Sequence, residues 1–247
     1  MNQQVVVYGH RGAKGYAPEN TIPGFRMAME MGADGFEFDI HQTADRFLVV
    51  MHDDNIDRTT GGHGGIGELT LRTFRNLDAG RKFGEKWAGL RPPTVEEVLL
   101  EFPTALKKIE LKHSSKIYPG IESRLLDLLD STGSKSQSKI TSFDYDALEN
   151  VRKYDSVIEC AIIARGKVRW FLDIAKALHA NWLNIPVDML EPEDVTLAVN
   201  SGLKVGAWGL TDEELVSRAI AAGVEEITSD YPDIAVRVVR EFKLQRH

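Results

Sequence analysis

Cysteine is nearly absent from this sequence: Cys160 is the only one in 247 residues. No intrachain disulfide can form, and nothing indicates an oxidising compartment. The sequence also lacks any apolar run close to the roughly 20 residues that a membrane-spanning helix needs. Its first eight residues include no basic residue and too few apolar ones for a secretion signal. We therefore expect a cytoplasmic protein without stable membrane association.

A surplus of positive charge is also missing, because the net charge is −7 and the pI is near 5.6. Such a chain offers no broad basic surface to nucleic acid or to an anionic membrane. Any cation that meets a phosphate group must act locally. What is present is ordinary for a soluble globular protein, with 43% hydrophobic and 27% charged residues. The length suits one large core, since about 250 residues is usual for a (β/α)8 barrel.

Short apolar runs alternate along the chain with stretches of helical periodicity, which predicts parallel strands with helices outside them. An open doubly wound sheet is the alternative, but its glycine-rich dinucleotide-binding motif is absent after the first strand. We predict an α/β fold, a single (β/α)8 TIM barrel over residues 1–247. The predicted strands are residues 5–9, 35–40, 107–112, 138–142, 158–163, 182–186, 203–208 and 225–229. The predicted helices are residues 21–31, 121–131, 145–154, 168–179, 193–200, 212–221 and a last one after Pro232.

Residues 54–94 interrupt this alternation. They lie between the second and third predicted strands and include a glycine-rich stretch around His63. A connection of this length is uncommon unless it carries function or forms a small insertion. In a barrel it would stand over the carboxyl ends of the strands, where active sites lie. We therefore expect a small insertion after the second strand, above the mouth of the barrel.

The second predicted strand contains two acidic residues. Glu37 and Asp39 are two positions apart, so both carboxylates project to one face of the strand. The third strand repeats the device with Glu110 and Lys112. A buried ion network with Lys112 is one interpretation, but it leaves two carboxylates unpaired and costly. A divalent cation, Mg²⁺ or Ca²⁺, resolves the excess, because such ions prefer oxygen ligands.

Two histidines follow extended segments near the expected mouth. His10 comes directly after the first strand with Arg11 beside it, and His52 follows the extended run of residues 47–51. Either histidine alone is more often structural. Together they offer an acid and a base whose ordinary pKa values lie near neutrality, as displacement at phosphorus requires. Arg11 and Lys112 add donors for phosphate oxygens, so the pattern predicts phosphoryl chemistry.

Two weaker features accompany this pattern. Trp208 ends the seventh predicted strand, where its ring would line the mouth and pack on a substrate's carbon skeleton, and a core position is an equal alternative. The segment of residues 18–21 precedes a helix and is explained as an N-terminal cap. Neither feature predicts a function by itself.

A set of short motifs occurs in order through nearly the whole chain. These motifs are His10-Arg11-Gly12, Pro18-Glu19-Asn20-Thr21, Glu37-Phe38-Asp39, His52-Asp53, Arg58-Thr59-Thr60, Pro93-Thr94-Val95-Glu96-Glu97-Val98-Leu99, Glu110-Leu111-Lys112, Ser142-Phe143-Asp144, Trp208 and Thr228-Ser229-Asp230-Tyr231-Pro232. On these motifs the chain resembles the glycerophosphodiester phosphodiesterase family of the cytoplasmic bacterial type. The family fold is a (β/α)8 barrel with a small insertion after the second strand. One departure is Gly209, where the family commonly has Thr, so the pocket wall beside Trp208 is expected to differ.

The resemblance implies metal-dependent hydrolysis of glycerophosphodiesters, the head-group diesters of deacylated phospholipids, to sn-glycerol 3-phosphate and an alcohol. First attack by the neighbouring glycerol hydroxyl, through a cyclic phosphate, and direct attack by water both fit. As a working hypothesis we give the acid role to His52. The implied roles are Glu37, Asp39 and Glu110 for one divalent cation, His10 and His52 for acid and base catalysis, Arg11 and Lys112 for the phosphate, and Glu19 and Asn20 for support.

Three alternatives remain. A lysophospholipase D or sphingomyelinase D belongs to the same superfamily, but such an enzyme would need a lipid-facing apolar loop longer than any in this sequence. A non-catalytic phosphodiester-binding protein would not need the pair of histidines. A barrel aldolase or isomerase could use Lys112 as a Schiff-base lysine, but it would leave both histidines unexplained.

Overall fold

The structure is a computed structural model that describes residues 5–244. Eight parallel strands form a closed barrel, because the first strand pairs with both the second and the last. Residues 1–4, half of the first eight residues in which the sequence predicts no secretion signal, lie outside the described residues. The barrel strands are β1 (Val6–Gly9), β2 (Gly35–Gln42), β4 (Leu106–Leu111), β5 (Ser138–Ser142), β6 (Glu159–Ile163), β7 (Trp182–Pro186), β8 (Lys204–Leu210) and β9 (Glu226–Ser229). The prediction of eight barrel strands is confirmed.

Helices surround the barrel and cover the outer faces of its strands. Phe25 of the first helix, for example, stacks on Phe36 of β2 with ring centroids 4.4 Å apart. No helix among residues 5–244 combines the length and the apolar character needed to cross a membrane. The helices are α1 (Ile22–Glu30), α2 (Leu71–Phe74), α3 (Val95–Glu101), α4 (Ile121–Ser131), α5 (Tyr145–Tyr154), α6 (Leu172–Ala177), α7 (Pro192–Asn200), α8 (Glu213–Ala222) and α9 (Pro232–Leu244).

Three helices differ from the sequence prediction. The short α2, within residues 54–94, was not predicted. The predicted helix at residues 168–179 is divided into a 3-10 turn at Val168–Trp170 and the shorter α6. Helix α3 was not predicted, although its start has a recognisable signature. The Thr94 hydroxyl accepts from the Glu97 N–H, and the Glu97 carboxylate accepts from the Thr94 N–H. This reciprocal capping box satisfies two backbone donors at the helix start.

The extended run at residues 47–51 is not a continuation of β2. It contains a separate short strand, β3 (Leu48–Val50), which pairs with β2 in the antiparallel direction. The chain therefore turns back at the end of β2. The N–H of Met51 donates to the carbonyl of Asp39 at 3.1 Å. This turn places the following residue, His52, beside the carboxyl end of β2.

The segment from residue 54 to residue 94 contains α2 and two 3-10 turns, at Ile66–Glu68 and Glu85–Trp87. It has a small apolar core of its own, in which Ile56, Ile66 and Phe74 pack against residues of the β3 segment. Asp78 fixes one of its loops by accepting hydrogen bonds from three backbone N–H groups. The segment is thus folded around its own contacts.

Candidate active site

Three carboxylates meet inside the barrel near the carboxyl ends of two neighbouring strands. Glu37 and Asp39 lie two residues apart on β2, and Glu110 of β4 stands opposite Asp39. The period of two turns them inward, whereas Phe36 and Phe38 pack outward against α1. All three carboxylates are buried, and one oxygen atom from each can be chosen so that the three lie within 4.8 Å of one another. The three predicted metal ligands therefore form one cluster.

This cluster holds more negative charge than its protein neighbours neutralise. Burial, together with Asp39 and Glu110, raises the pKa of Glu37 well above its ordinary value. Burial, assisted by the charge of Asp39, also raises the pKa of Glu110 to about 7, despite its contact with Lys112. Burial opposes ionisation of Asp39 as well, but Lys112 and Arg11 outweigh it and lower the pKa of Asp39 to about 2. Two of the three carboxyl groups therefore favour a bound proton or a bound cation.

At the opposite end of the barrel interior, the buried acidic residue is fully paired with lysines. Glu226 of β9 is buried between Lys108 of β4 and Lys139 of β5 and forms ion pairs with both. Lysines outnumber the carboxylate in this group, so it has no unpaired acid. The excess of acid is thus confined to the carboxyl end of the strands, where β/α barrels carry their active sites.

Two cations border the carboxylate cluster. The Lys112 ammonium lies 2.6 Å from Glu110 and 3.3 Å from Asp39. The Arg11 backbone N–H donates to Glu37 at 3.0 Å, and its guanidinium Nε lies 3.5 Å from Asp39. Arg11 has a φ of 51°, which lies in the left-handed region. A non-glycine residue stays in that region only where the surrounding contacts hold it there. Both residues predicted to contact phosphate are thus fixed at the edge of the cluster.

Asn20 and Glu19 hold these groups in position. The Asn20 amide donates to Asp39 at 2.9 Å, and Asn20 also has a left-handed φ, 57°. Glu19 accepts from Arg11 at 2.9 Å and from two nitrogens of Arg58 at 2.8 and 2.6 Å. The segment before α1, where the Thr21 side chain caps the helix, therefore also positions a carboxylate and an arginine of the site.

His10 faces the cluster from the end of β1. Its Nδ1 lies 2.5 Å from Asp230 Oδ1, just beyond β9, and its Nε2 lies 3.9 Å from Glu37 Oε2. Lys14 also contacts Asp230, at 3.1 Å. Burial lowers the pKa of His10, and the hydrogen bond to Asp230 opposes this effect. The ring is therefore held with Nε2 toward the carboxylates.

His52 faces the cluster from the end of the β3 segment. Its Nδ1 lies 2.6 Å from the carboxylate of the adjacent Asp53. Arg58 donates to Asp53 at 2.7 Å and connects it to Glu19. Burial lowers the pKa of His52, and the nearby charge of Asp39 opposes this effect. Both histidines thus use Nδ1 to bind a carboxylate, which leaves Nε2 available to accept or donate a proton.

An aromatic wall lies at the mouth beside β8. The Trp208 ring meets Phe143, which follows β5, edge to face at a centroid distance of 6.2 Å, and Phe143 is half exposed. The Trp208 indole N–H is buried and has no hydrogen-bond partner within the described part of the chain. The next residue, Gly209, has a φ of 81°, and the register of β8 against β9 shifts there. The departure at Gly209 therefore coincides with a bulge that a β-branched Thr would strain.

Sequence reasoning did not single out three of the site's residues. Asp53, Arg58 and Asp230 each orient a group of the site, and each occurs in a motif on which the resemblance rested. Asp53 could have been found from its place next to His52. Asp230 could not, because it lies 220 residues from His10 and meets it only when the barrel closes. A barrel mouth that joins two oriented imidazoles to buried carboxylates and cations is equipped as a hydrolase.

Comparisons with known proteins identify the family. The model of the Glycerophosphoryl diester phosphodiesterase family matches residues 10–234. A glycerophosphodiester phosphodiesterase of Caldanaerobacter subterraneus subsp. tengcongensis is 38% identical over 245 residues, covering 96% of this chain and 99% of that protein. One of Bacillus subtilis is 31% identical over 258 residues, covering 97% and 88%. The chain belongs to the glycerophosphoryl diester phosphodiesterase family.

Solved structures give the same result. A phosphodiesterase of Oleispira antarctica, in complex with the product sn-glycerol-3-phosphate, matches with a TM-score of 0.89 at 26% identity, covering 95% of this chain and 96% of that one. A glycerophosphodiester phosphodiesterase of Agrobacterium tumefaciens matches with a TM-score of 0.82, also at 26% identity, covering 94% and 99%. The predicted family, fold and enzyme class are thus confirmed.

Proposed function

We propose that the chain, acting as one catalytic domain, hydrolyses glycerophosphodiesters to sn-glycerol 3-phosphate and a free alcohol. One observation carries the proposal: two imidazoles, His10 and His52, each oriented through Nδ1 by a carboxylate, flank a buried acidic cluster. The Oleispira antarctica relative, which holds sn-glycerol-3-phosphate, supports the identity of the product. The substrates are the diesters that remain when phospholipids lose their acyl chains.

Glu37, Asp39 and Glu110 would hold one divalent cation, Mg²⁺ or Ca²⁺. Their fit follows from the donor set, because three buried carboxylates offer only oxygen ligands and keep an acidic excess after Lys112 and Arg11 are counted. The raised pKa values of Glu37 and Glu110 indicate the same need for positive charge. When bound, the cation would supply Lewis-acid polarisation of a phosphoryl oxygen.

The chain's own residues bind and orient the diester. Lys112 and Arg11 have donors beyond those they use on Glu110, Asp39 and Glu19, and these donors suit the phosphate oxygens. Trp208 and Phe143 offer an apolar surface for the carbon skeleton of the substrate. The indole N–H of Trp208, which lacks a partner in the described chain, suits a substrate hydroxyl.

Proton transfer is divided between the histidines. His10 Nε2 would take the proton of the attacking hydroxyl, which belongs either to the glycerol moiety or to water. His52 Nε2 would give a proton to the departing alkoxide. Asp230 stabilises the imidazolium that forms at His10, and Asp53 stabilises the imidazolium from which His52 gives its proton. Reversal of the two roles opens a cyclic phosphate, if one forms, and restores the resting protonation states.

The experiment is a turnover panel with product analysis. The full chain is incubated with glycerophosphodiesters of different alcohols, and with a lysophospholipid, and sn-glycerol 3-phosphate and the alcohols are quantified. We expect equal amounts of the two products from the diesters and little from the lysophospholipid. Release of alcohol from the lysophospholipid alone would favour the lysophospholipase D alternative. If none of these compounds is turned over, the result would favour the alternative of a non-catalytic binding protein.

A cytoplasmic location belongs to the same proposal. It is in keeping with the buried free thiol of Cys160, and cell fractionation tests it.

A further inference from the structure

A second group of metal-binding side chains lies next to the carboxylate cluster. We propose that His41, Asp54 and His113 form a separate site for a divalent ion of the Zn²⁺ type. Two imidazoles and a carboxylate are the ligand set that Zn²⁺ and its neighbours in the transition series prefer. The acidic cluster, with oxygen ligands only, suits Mg²⁺ or Ca²⁺ instead. The two sites therefore differ in the ions they select.

The ligand atoms are close to a binding arrangement. One nitrogen from each histidine and one oxygen of Asp54 all lie within 4.8 Å of one another. His113 Nε2 is 2.6 Å from Asp54 Oδ1, and His41 Nδ1 is 3.9 Å from the same oxygen. A tetrahedral ion with bonds of about 2.0–2.2 Å holds its ligand atoms roughly 3.3–3.6 Å apart. Small side-chain rotations therefore bring all three ligand atoms to binding distance.

His41 is already oriented as a ligand. The residue is buried, and its Nε2 lies 3.2 Å from the backbone carbonyl of His52. A carbonyl only accepts, so Nε2 carries the hydrogen and Nδ1 presents its lone pair to Asp54 and to the Tyr118 hydroxyl at 3.0 Å. Metal-binding histidines commonly donate their second N–H to a carbonyl in this way.

The surroundings leave room for an ion and its water. A cavity of about 570 Å³ opens onto Asp54, His113 and Tyr118. His41 shares the inward face of β2 with Asp39, two residues away, which is about 6.6 Å along a strand. The second site is therefore adjacent to the acidic cluster without sharing a ligand with it.

The three ligands come from separate parts of the chain. His41 lies on β2, Asp54 stands at the start of the inserted segment, and His113 lies between β4 and α4. An ion bound to all three would tie the inserted segment to the barrel. The three ligands meet only in the folded chain, so the bound ion should raise the midpoint of thermal unfolding.

Calorimetric titration of the full chain with Zn²⁺ tests the site, with Mg²⁺ in large excess to fill the acidic cluster. Thermal unfolding with and without Zn²⁺ gives a second measurement. A Co²⁺ titration gives a third, because tetrahedral Co²⁺ absorbs visible light much more strongly than octahedral Co²⁺. We expect one Zn²⁺ per chain, a higher midpoint of unfolding, and an intense Co²⁺ spectrum.

His113→Asn and Asp54→Asn should each weaken Zn²⁺ binding at least tenfold and remove the increase in midpoint. The matched control is His63→Asn. His63 also contacts a carboxylate, Asp57 at 2.7 Å, but no third candidate ligand joins that pair anywhere in residues 5–244. This variant should bind Zn²⁺ like the parent. Circular dichroism confirms that each variant is folded.

Glu110→Gln separates this proposal from the proposed function. We expect the variant to bind Zn²⁺ like the parent, whatever its effect on turnover. If Glu110→Gln abolishes Zn²⁺ binding, the ion occupies the acidic cluster and the second site does not exist. Unchanged Zn²⁺ affinity in folded His113→Asn, or no Zn²⁺ binding by the parent chain, would also overturn the proposal.

Discussion

Asp230 Oδ1 and His10 Nδ1 lie 2.5 Å apart, although the two residues are separated by 220 positions in the chain. The contact joins the end of the last barrel strand to the end of the first. It fixes the ring of His10 so that Nε2 points to Glu37. Closure of the barrel therefore creates the orientation on which the proposed proton transfer by His10 depends.

Asp230→Asn should lower kcat by roughly 10²- to 10⁴-fold, because an amide can hold the imidazole in the wrong tautomer. KM should change much less. The matched control is Asp233→Asn, which alters the carboxylate that accepts from the Tyr16 hydroxyl at 3.1 Å on the same segment. That variant should keep the parent kcat. In a His10→Ala background, Asp230→Asn should cost little more, since both changes disable one group. Full additivity of the two losses would show that Asp230 acts elsewhere.

The single variants His10→Ala and His52→Ala should each have a kcat about 10²- to 10⁴-fold lower than the parent, the usual effect of losing an acid or a base. A diester of p-nitrophenol needs no protonation of its leaving group. It should therefore restore turnover in His52→Ala but not in His10→Ala. Restoration in His10→Ala alone would exchange the two roles. Parent rates in both folded variants, on ordinary diesters, would refute the proton-transfer mechanism.

Lys112→Met should lower kcat/KM for all glycerophosphodiesters by a similar factor, because the ammonium is proposed to act on the phosphate common to them. Phe83→Ala should instead change the ranking of substrates. Phe83 belongs to the inserted segment and, with Lys14 and Glu19, lines a cleft of about 120 Å³ beside the site. A substrate-dependent loss in Lys112→Met would assign the lysine to alcohol recognition.

Local patterns in the sequence were sufficient to predict the barrel and the carboxylate cluster. Glu37, Asp39 and Glu110 could be predicted because the period of two in a strand fixes which side chains share a face. The strand boundaries followed from apolar runs, and the order of motifs predicted the family. These features depend on residues close together in the chain.

Features that depend on distant contacts could not be predicted. The direction of β3 follows from its pairing with Ile40 and its neighbours, not from its own composition. The Asp230 contact requires a closed barrel. The network in which Arg58 joins Asp53 to Glu19 likewise depends on how the inserted segment packs against the first loop. Helix α3 does not belong with these features. Its capping box, Thr94 and Glu97, is local and visible in the sequence, so this helix could have been predicted.

The inserted segment should become sensitive to acid through Asp78. A hydrogen bond from the Gly89 N–H, assisted by those from Arg81 and Gly80, lowers the pKa of Asp78 to about 2. The folded pKa lies below the ordinary value of 3.8, so this stabilisation is complete above pH 3.8 and is lost as the pH falls toward 2.

The measurement is the rate of pepsin cleavage within residues 54–94 between about pH 5 and pH 2. The parent chain should be cleaved faster as the pH falls through this range. Asp78→Asn should be cleaved faster than the parent at the upper end of the range, and the difference should shrink as the pH falls. A constant ratio between the two rates would contradict the role of Asp78.

The most direct test of the metal-dependent mechanism is hydrolysis of one glycerophosphodiester after treatment with chelator and dialysis, as a function of added Mg²⁺ or Ca²⁺. The parent chain should be inactive without cation and regain turnover with one of them. Glu110→Gln should need a higher cation concentration for half-maximal turnover, because the amide keeps the shape of the ligand and loses its charge. Full activity of the parent chain in excess chelator, or the same cation dependence in Glu110→Gln, would contradict the account.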